Sequence, residues 1–327
     1  MKIAIIGYGS IGKRHLKNLS NIFKGEILLC TKQSLNGKKL SRVKIINSIE
    51  KCIQEEPDAV LIANETNLHI TTAIKFAKSK THIFIEKPLS NSNKNIPLLL
   101  NETKKHNLTT LIGCNLRFHP CLIKLKQLII EKKIGKILSV NACNSSYLPL
   151  WHKNEDYSKS YAANDKISGG IVMTSIHEID YLYWLFGNVE NVFSYIHKLS
   201  DLKIQGNDHA SIMMKFSKGM IGEIHLDFYQ QYNVRYCKVI GSKGILYLDF
   251  LKNFLRHYDY NSKKWNFVLK INKFDYNSMY VQELTHFIDK ISKKQKTIND
   301  ITQAINVQNI GMAILKSSKL NKSIEIE

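Results

Sequence analysis

The opening stretch MKIAIIGYGSIG, residues 1–12, restricts the possible fold more than any other part of the chain. Lys2–Ile6 is a short, continuous apolar run of the kind that forms a strand buried on both faces. It runs directly into Gly7-Tyr8-Gly9-Ser10-Ile11-Gly12, and a helix-like KRHLKNLSNIF follows. A strand, G-x-G-x-x-G and a helix in that order make a dinucleotide-binding fingerprint. Gly7 permits the tight turn, Gly9 lets the backbone approach a pyrophosphate, and Gly12 allows close helix–strand packing. The helix start then offers free N–H groups to the anion. Gly7, Tyr8, Gly9, Ser10, Ile11 and Gly12 are therefore the first candidate cofactor residues.

The alternation continues beyond this unit. Glu26–Cys30, Ala59–Ala63 and His82–Ile85 read as further strands, with helical patterns between them, notably His69–Lys78. Strand and helix in alternation predict an α/β fold whose amino-terminal part is a doubly wound parallel sheet. An acid about 20 residues past the glycines normally grips the ribose 2′-hydroxyl. Here the second strand ends Cys30-Thr31-Lys32-Gln33-Ser34, without an acid. Thr31, Lys32 and Ser34 suit a 2′-phosphate, so the expectation leans from NAD to NADP. Main-chain contacts to NAD are the alternative.

A chain of 327 residues has room for two domains with their own cores. Its 44% hydrophobic and 23% charged residues are those of a globular protein. There is no apolar run near the roughly 18 residues that span a bilayer. The apolar opening reaches a glycine at once, leaving no room for a signal core, so a cytoplasmic location is expected. The six cysteines show no CxxC and no ligand spacing with histidines. No metal site is expected. The net charge of +20 comes from scattered lysine pairs, with one denser run at Lys290–Lys296. Without a basic stripe interleaved with aromatics, nucleic acid is not the expected partner, although the charge suits an anionic substrate.

The segment SGGIVMTSIHEIDYLYWLFG, residues 168–187, poses a different question. Ile176, Ile179, Leu182, Tyr183, Leu185 and Phe186 fall on one helical face. His177 and Asp180, three apart, share a side of the same helix. Ser175 with Glu178 fits a capping box that starts the helix, and Gly187 fits its stop. The residues alone leave two readings open: a buried histidine satisfied by an acid, or a proton-transfer group.

Glu86-Lys87-Pro88 follows the fourth expected strand. Together with the amino-terminal glycines and His177-Glu178-Ile179-Asp180, this EKP resembles the Gfo/Idh/MocA family of sugar-type oxidoreductases. Ala63–His69 (AxxTxLH), Asn115–Pro120 (NLRFHP), Trp151–Tyr161 (WHxxEDYxxSY), His225–Gln230 (HLDFYQ) and Ile240–Gly244 (IGSKG) match as well. HEIDYLYWLFG resembles members from bacterial surface-polysaccharide and nonulosonic-acid pathways. The resemblance spans the whole chain. It implies a Rossmann domain over 1–120 and a substrate-binding and oligomerisation α+β domain over 121–327, built on an open, largely antiparallel sheet. Residues 136–147, 189–198, 208–216, 220–229, 235–241 and 244–250 read as its strands, and 280–318 as closing helices. The uncovered sheet face is where such proteins commonly dimerise, so a homo-oligomer is expected.

By the same resemblance, the chain is an NAD(P)-dependent oxidoreductase that moves a hydride between nicotinamide and a sugar or nucleotide-sugar carbon. Lys87 would contact the cofactor ribose and the substrate oxygen. His177 would act as general base or acid, its neutral form favoured by the helix start, and Asp180 would orient its ring. Asn64, Thr66, His69 and Glu86 join the cofactor residues. Arg117, His119, Trp151, His152, Tyr157 and Tyr161 are the candidate substrate contacts. There are three departures. Relatives usually carry an aspartate where Met173 and Thr174 stand, often a proline where Glu65 stands, and often a glycine where Lys80 stands. The missing aspartate supports the competing readings, a sensor or partner protein without net redox turnover, or an enzyme with transient redox.

Overall fold

The computed structural model describes residues 1–33, 42–151, 156–168 and 170–326. The chain divides into two compact units, Met1–Asn115 with Tyr276–Ile305, and Leu116–Asp275 with Asn306–Glu327. The first unit thus stops short of residue 120 and takes in Tyr276–Ile305, which the expected 121–327 domain had claimed.

Among the described residues, the first unit is built on six strands: β1 (Lys2–Ile6), β2 (Glu26–Cys30), β3 (Val43–Ile46), β4 (Ala59–Ile62), β5 (His82–Glu86) and β6 (Thr110–Gly113). They lie in the order β3-β2-β1-β4-β5-β6, every neighbouring pair parallel. Alternation along each strand divides the core between the two faces. Ala4, Ile6, Leu28, Val60 and Ile62 pack on one side with Ala73, Phe76 and Leu99 from helices His69–Lys78 and Ile96–Lys105. Ile3, Ile5, Ile27, Leu29 and Leu61 pack on the other with Leu16 and Leu19 of helix Ser10–Ile22 and with Leu284 and Phe287 of helix Asn277–Lys293. Burying each such Ile or Leu contributes about 1.5–3 kcal/mol. The two edge strands β3 and β6 were not expected. β3 reads VKII with Lys44 and Ile45 exposed, so its pattern is that of a polar edge and not of a buried strand.

Among the described residues, the second unit carries nine strands: β7 (Ile137–Tyr147), β8 (Val189–His197), β9 (His209–Phe216), β10 (Ile221–Asp227), β11 (Tyr229–Gly241), β12 (Gly244–Asp249), β13 (Phe254–Asp259), β14 (Lys264–Lys270) and β15 (Ile324–Glu325). Their order is β14-β13-β12-β11-β7-β10-β9-β8-β15. All neighbours are antiparallel except β7 and β10. Helices Pro120–Ile130 and Ile176–Phe186 pack on the sheet. The other face is lined by aromatic residues, with Tyr195, Met213, Trp265 and Phe267 exposed.

The expected helical stretch 280–318 is two helices, Asn277–Lys293 and Ile301–Leu320. The first ends where Lys294 takes a left-handed φ of +52°. Among the described residues, no helix is long and apolar enough to cross a membrane.

Candidate active site

The glycines of the opening loop have separate jobs. Gly7 has φ +98°, and a Cβ there would stand 2.6 Å from the Ala63 carbonyl oxygen. A Cβ on Gly12 would stand 2.3 Å from the Gly7 carbonyl oxygen. Both are therefore required by the protein itself. At Gly9, by contrast, a Cβ would meet nothing within 4 Å. The missing side chain keeps room open at the start of helix Ser10–Ile22. Its N-cap, Gly9, has no side chain to cap it and its first turn holds no acid, so its first N–H groups are left to an anion. Beside Gly7, where a Cβ would stand 2.9 Å from the Asn64 nitrogen, Asn64 Nδ2 donates to Thr72 Oγ1 at 3.2 Å, while the buried Oδ1 has no partner among the described residues. An open cradle, an uncapped helix start and an unsatisfied acceptor fit a dinucleotide.

Other loop residues divide by burial. Ser10 is exposed and Ile11 half-buried, but the Tyr8 ring is buried in the core, with Lys13 Nζ 5.3 Å from its centroid. Thr31 directly follows β2, its Oγ1 accepting from the Gln33 N–H at 3.1 Å, and Lys32 is exposed beside it. Ser34 lies outside the described residues.

Two expected cofactor contacts turn inward. His69 is 1% exposed, and its Nδ1 and Nε2 lie 3.0 Å from the Pro88 carbonyl and 3.1 Å from the Asn64 carbonyl. Burial pushes its pKa below the usual histidine range, outweighing the carbonyl contacts. A neutral ring has one N–H, so it donates to one carbonyl at a time and ties the Asn64 loop to the Pro88 turn. Glu86, at the end of β5, is also buried, and its Oε1 accepts from Nε2 of the fully buried His15. Its Oε2 accepts from the Lys87 N–H at 3.2 Å. Thr66 is buried too, in the short 3-10 turn Thr66–Leu68 that follows exposed Glu65. Lys87 itself is half-buried at the carboxyl end of the parallel sheet, where doubly wound folds bind ligands. Lys80, standing where a glycine was noted, has φ +61° after helix His69–Lys78, which explains the preference for glycine there.

In the second unit, the polar residues of HEID separate into anchors and one remaining group. Asp180 does not orient His177. Its Oδ2 and Oδ1 accept from Arg117 Nε at 2.9 Å and Nη2 at 2.8 Å, a two-pronged pair with both side chains at most 1% exposed. Arg117 is for the same reason unavailable to a substrate anion. Glu178 does not close a capping box with Ser175, which makes no side-chain cap bond. Its Oε1 accepts from Arg235 Nε at 2.8 Å instead. Both acids thus tie helix Ile176–Phe186 to its surroundings. Gly187, with φ +86°, ends the helix as expected. His177, in the first turn, is the half-buried member. Met173 is fully buried, and a Cβ on Gly311 would stand 3.0 Å from its Sδ; Thr174 is buried as well. Neither position supplies a carboxylate.

His119 is likewise a core residue and not a substrate contact. It is fully buried, with Nε2 3.2 Å from Asn253 Oδ1, and Nδ1 accepting from the Cys121 N–H at 3.2 Å. Burial pushes its pKa down to about 4. The aromatic candidates stay accessible. Trp151 is 38% exposed, its Nε1 donating to Ser146 Oγ at 2.9 Å and its ring edge-on to Phe228. Tyr161 is 37% exposed, and half-buried Tyr157 accepts the Lys203 N–H at 3.1 Å. His152 lies outside the described residues.

Sequence reasoning missed His15, Arg235 and Asn253. His15 carried a signal, since it falls on the sheet-facing side of its helix with Leu16 and Leu19. Arg235 and Asn253 carried none, being tertiary partners from distant strands. Among the described residues, no group of three or more His, Cys, Asp or Glu is arranged to hold a metal ion.

Comparison with known proteins agrees with this layout. The family model for the oxidoreductase family, NAD-binding Rossmann fold, matches residues 1–114, and that for the GFO/IDH/MocA C-terminal domain matches residues 122–247. The chain is 29% identical to myo-inositol 2-dehydrogenase of Thermotoga maritima, covering 100% of this chain and 99% of the relative. It is 26% identical to the NAD(+)-dependent scyllo-inositol 2-dehydrogenase of Bacillus subtilis, over 100% and 96% of the two chains. Levoglucosan dehydrogenase in complex with NADH superposes with a TM-score of 0.89 at 18% identity, covering 100% of this chain and 99% of that one. The chain belongs to the Gfo/Idh/MocA family of oxidoreductases, with the family's NAD-binding Rossmann fold followed by its carboxy-terminal domain.

Proposed function

We propose that the protein is an NAD(P)-dependent dehydrogenase or reductase acting on a secondary CH–OH group of a cyclic polyol, sugar or nucleotide sugar. The observation that carries this reading is the room kept open at Gly9, beside an uncapped helix start, in a chain that also places Lys87 at the end of β5. A bound nicotinamide would supply the hydride acceptor or donor. The chain's residues do the rest. The first N–H groups of helix Ser10–Ile22 hold the pyrophosphate. The Lys87 ammonium stabilises negative charge developing on the substrate oxygen. A ring nitrogen of His177 takes the hydroxyl proton in oxidation and returns it in reduction. The Trp151 and Tyr161 rings offer exposed faces suited to the apolar side of a sugar.

Thr31 and Lys32, with no acid at the tip of β2, support a lean to NADP over NAD. The resemblance of HEIDYLYWLFG supports a place in surface-polysaccharide synthesis. A homo-oligomer formed through the open sheet face belongs to the same proposal. On that face Tyr236 stacks on Tyr247 with ring centroids at 5.6 Å, and the Arg256 guanidinium lies 5.1 Å from the Trp265 ring and 5.2 Å from the Phe267 ring.

The test mixes purified protein with NAD+ or NADP+ and a panel of inositols, free sugars and nucleotide sugars, following the reduced-nicotinamide absorbance. Growth of that band with at least one substrate is expected. A second reading, cofactor binding without net turnover, is favoured by one observation, that Met173 and Thr174 leave no carboxylate in that turn of the chain. Dinucleotide binding with conversion of a sugar but no net absorbance change supports transient redox. Binding with no conversion supports a sensor.

A further inference from the structure

We infer that His15 and Glu86 form a buried positioning pair that locks the dinucleotide-loop helix to the strand end carrying Lys87, and so sets where that ammonium stands. The inference rests on the reading that Lys87 works on a substrate oxygen beside a nicotinamide.

His15 lies on helix Ser10–Ile22, three residues past the last glycine of the loop, with 0% of its side chain exposed. Glu86 closes β5, its side chain 8% exposed. A carboxylate only accepts hydrogen bonds, so the ring presents an Nε2–H to Oε1. The second oxygen accepts the main-chain N–H of Lys87 at 3.2 Å. One carboxylate therefore joins the helix that follows the first loop glycines to the backbone of the next residue, Lys87. The imidazole is held in turn by edge contacts to Phe84 and Tyr280, at centroid distances of 5.2 and 6.1 Å. Gly113, the β6 partner of Glu86, leaves space for the carboxylate. A Cβ there would stand 3.2 Å from both Cδ and Oε1.

Filling space does not require a polar pair here, because well-packed apolar residues of similar volume serve stability equally well. The His15 Nδ1 atom, buried with no partner among the described residues, is a standing cost of keeping an imidazole at this place. What the pair adds is direction. Two hydrogen bonds to one carboxylate fix the rotation of the Glu86–Lys87 segment relative to the loop, and apolar contacts fix it far less.

Three variants, His15→Gln, His15→Leu and the double variant His15→Leu with Glu86→Leu, separate positioning from stability. Gln keeps an N–H near the place of Nε2; Leu removes it. Each is measured for thermal unfolding, NADH and NADPH affinity by fluorescence, and steady-state turnover. Each is also measured for the rate at which Lys87 is acylated by a small amine reagent, followed by peptide mass spectrometry. His15→Leu is expected to lower kcat about 10- to 100-fold, with substrate KM and dinucleotide Kd within about threefold, and His15→Gln to recover most of it. The double variant is expected to fold and to share the low kcat. The acylation rate of Lys87 changes at least about threefold with Leu and returns with Gln.

The inference is overturned if His15→Leu keeps kcat and the Lys87 acylation rate within about twofold of wild type. Gln no better than Leu overturns it too. Should His15→Leu not fold, a folded double variant with wild-type Lys87 acylation overturns it equally. Wild-type protein that binds neither dinucleotide contradicts the proposed function instead, while the acylation comparison still judges the pair.

Discussion

Replacing Arg117 or Asp180 alone tests whether this pair is an anchor of the second unit or part of the proton-transfer machinery. Both oxygens of Asp180 accept from the guanidinium, at 2.9 and 2.8 Å, and the side chains are 0% and 1% exposed. Removing either partner strands a charge with no water to solvate it, which costs about 3–5 kcal/mol. Arg117→Met and Asp180→Leu should each show a loss of that size. Because 1 kcal/mol shifts Tm by about 2–4 °C in a domain of this size, the expected drop is roughly 6–20 °C. The combined variant removes both charges together and should lose no more than about 1–2 kcal/mol. Its losses are therefore far from additive, with a coupling of at least about 4 kcal/mol. Urea and thermal unfolding can be followed by tryptophan fluorescence, since Trp184 lies against Arg117 with the guanidinium 5.8 Å from its ring. Additive losses, or single variants within about 1 kcal/mol of wild type, would refute the anchor role. An Asp180→Leu protein with wild-type stability and no turnover would restore Asp180 as the group that orients His177.

The glycines give a second, paired prediction. Gly9→Ala should leave stability within about 0.5 kcal/mol of wild type, because its Cβ meets nothing within 4 Å, yet weaken NADH binding at least about tenfold by filling the space the pyrophosphate needs. Gly12→Ala should destabilise the unit by about 1–3 kcal/mol, because its Cβ stands 2.3 Å from the Gly7 carbonyl oxygen; equal behaviour of the two variants in unfolding contradicts the division of roles. His119, whose pKa burial lowers to about 4, gives a pH prediction. Below the unfolded histidine value of about 6.5, the unfolded chain binds a proton that the folded chain refuses, so stability falls as pH drops from about 6.5 to about 4, by up to on the order of 3 kcal/mol. His119→Gln should flatten that part of the wild-type pH–stability curve, and an unchanged curve contradicts burial as the cause. His177→Ala should keep dinucleotide affinity within about threefold and lose at least about 100-fold in turnover; wild-type turnover in that variant removes His177 from the proposal.

Much of the fold was legible because its strands are regular. β1 and β2 fall where the apolar runs of the sequence put them, and β4, β5, β7, β8, β9, β10 and β12 start or end within about two residues of expectation, as usual for element boundaries. The edges were harder. β3, β13 and β14 are half-polar hairpin or edge strands whose pattern does not separate them from loops. The site was legible in its residue types but less so in their partners. The spacing of His177 and Asp180 correctly put them on one helix, yet spacing within a helix says nothing about Arg117, which reaches Asp180 from 63 residues away. Ser175 and Glu178 satisfied the letter of a capping box, but the pull of Arg235 on Glu178 was stronger than a local hydrogen bond at the helix start. Glu86 and His69 were expected to face the cofactor but are buried on protein partners, since burial decides whether a polar side chain serves a ligand or the groups beside it.

If the proposed function holds, this chain binds a nicotinamide dinucleotide and exchanges a hydride with a hydroxyl-bearing ring. The most direct measurement is the reduced-nicotinamide signal of purified protein supplied with NAD+ or NADP+ and the inositol, sugar and nucleotide-sugar panel, run beside Lys87→Met. A signal from the wild-type protein with at least one compound, lost in Lys87→Met while dinucleotide binding persists, is the predicted result. A folded wild-type protein with no measurable affinity for either dinucleotide would contradict it.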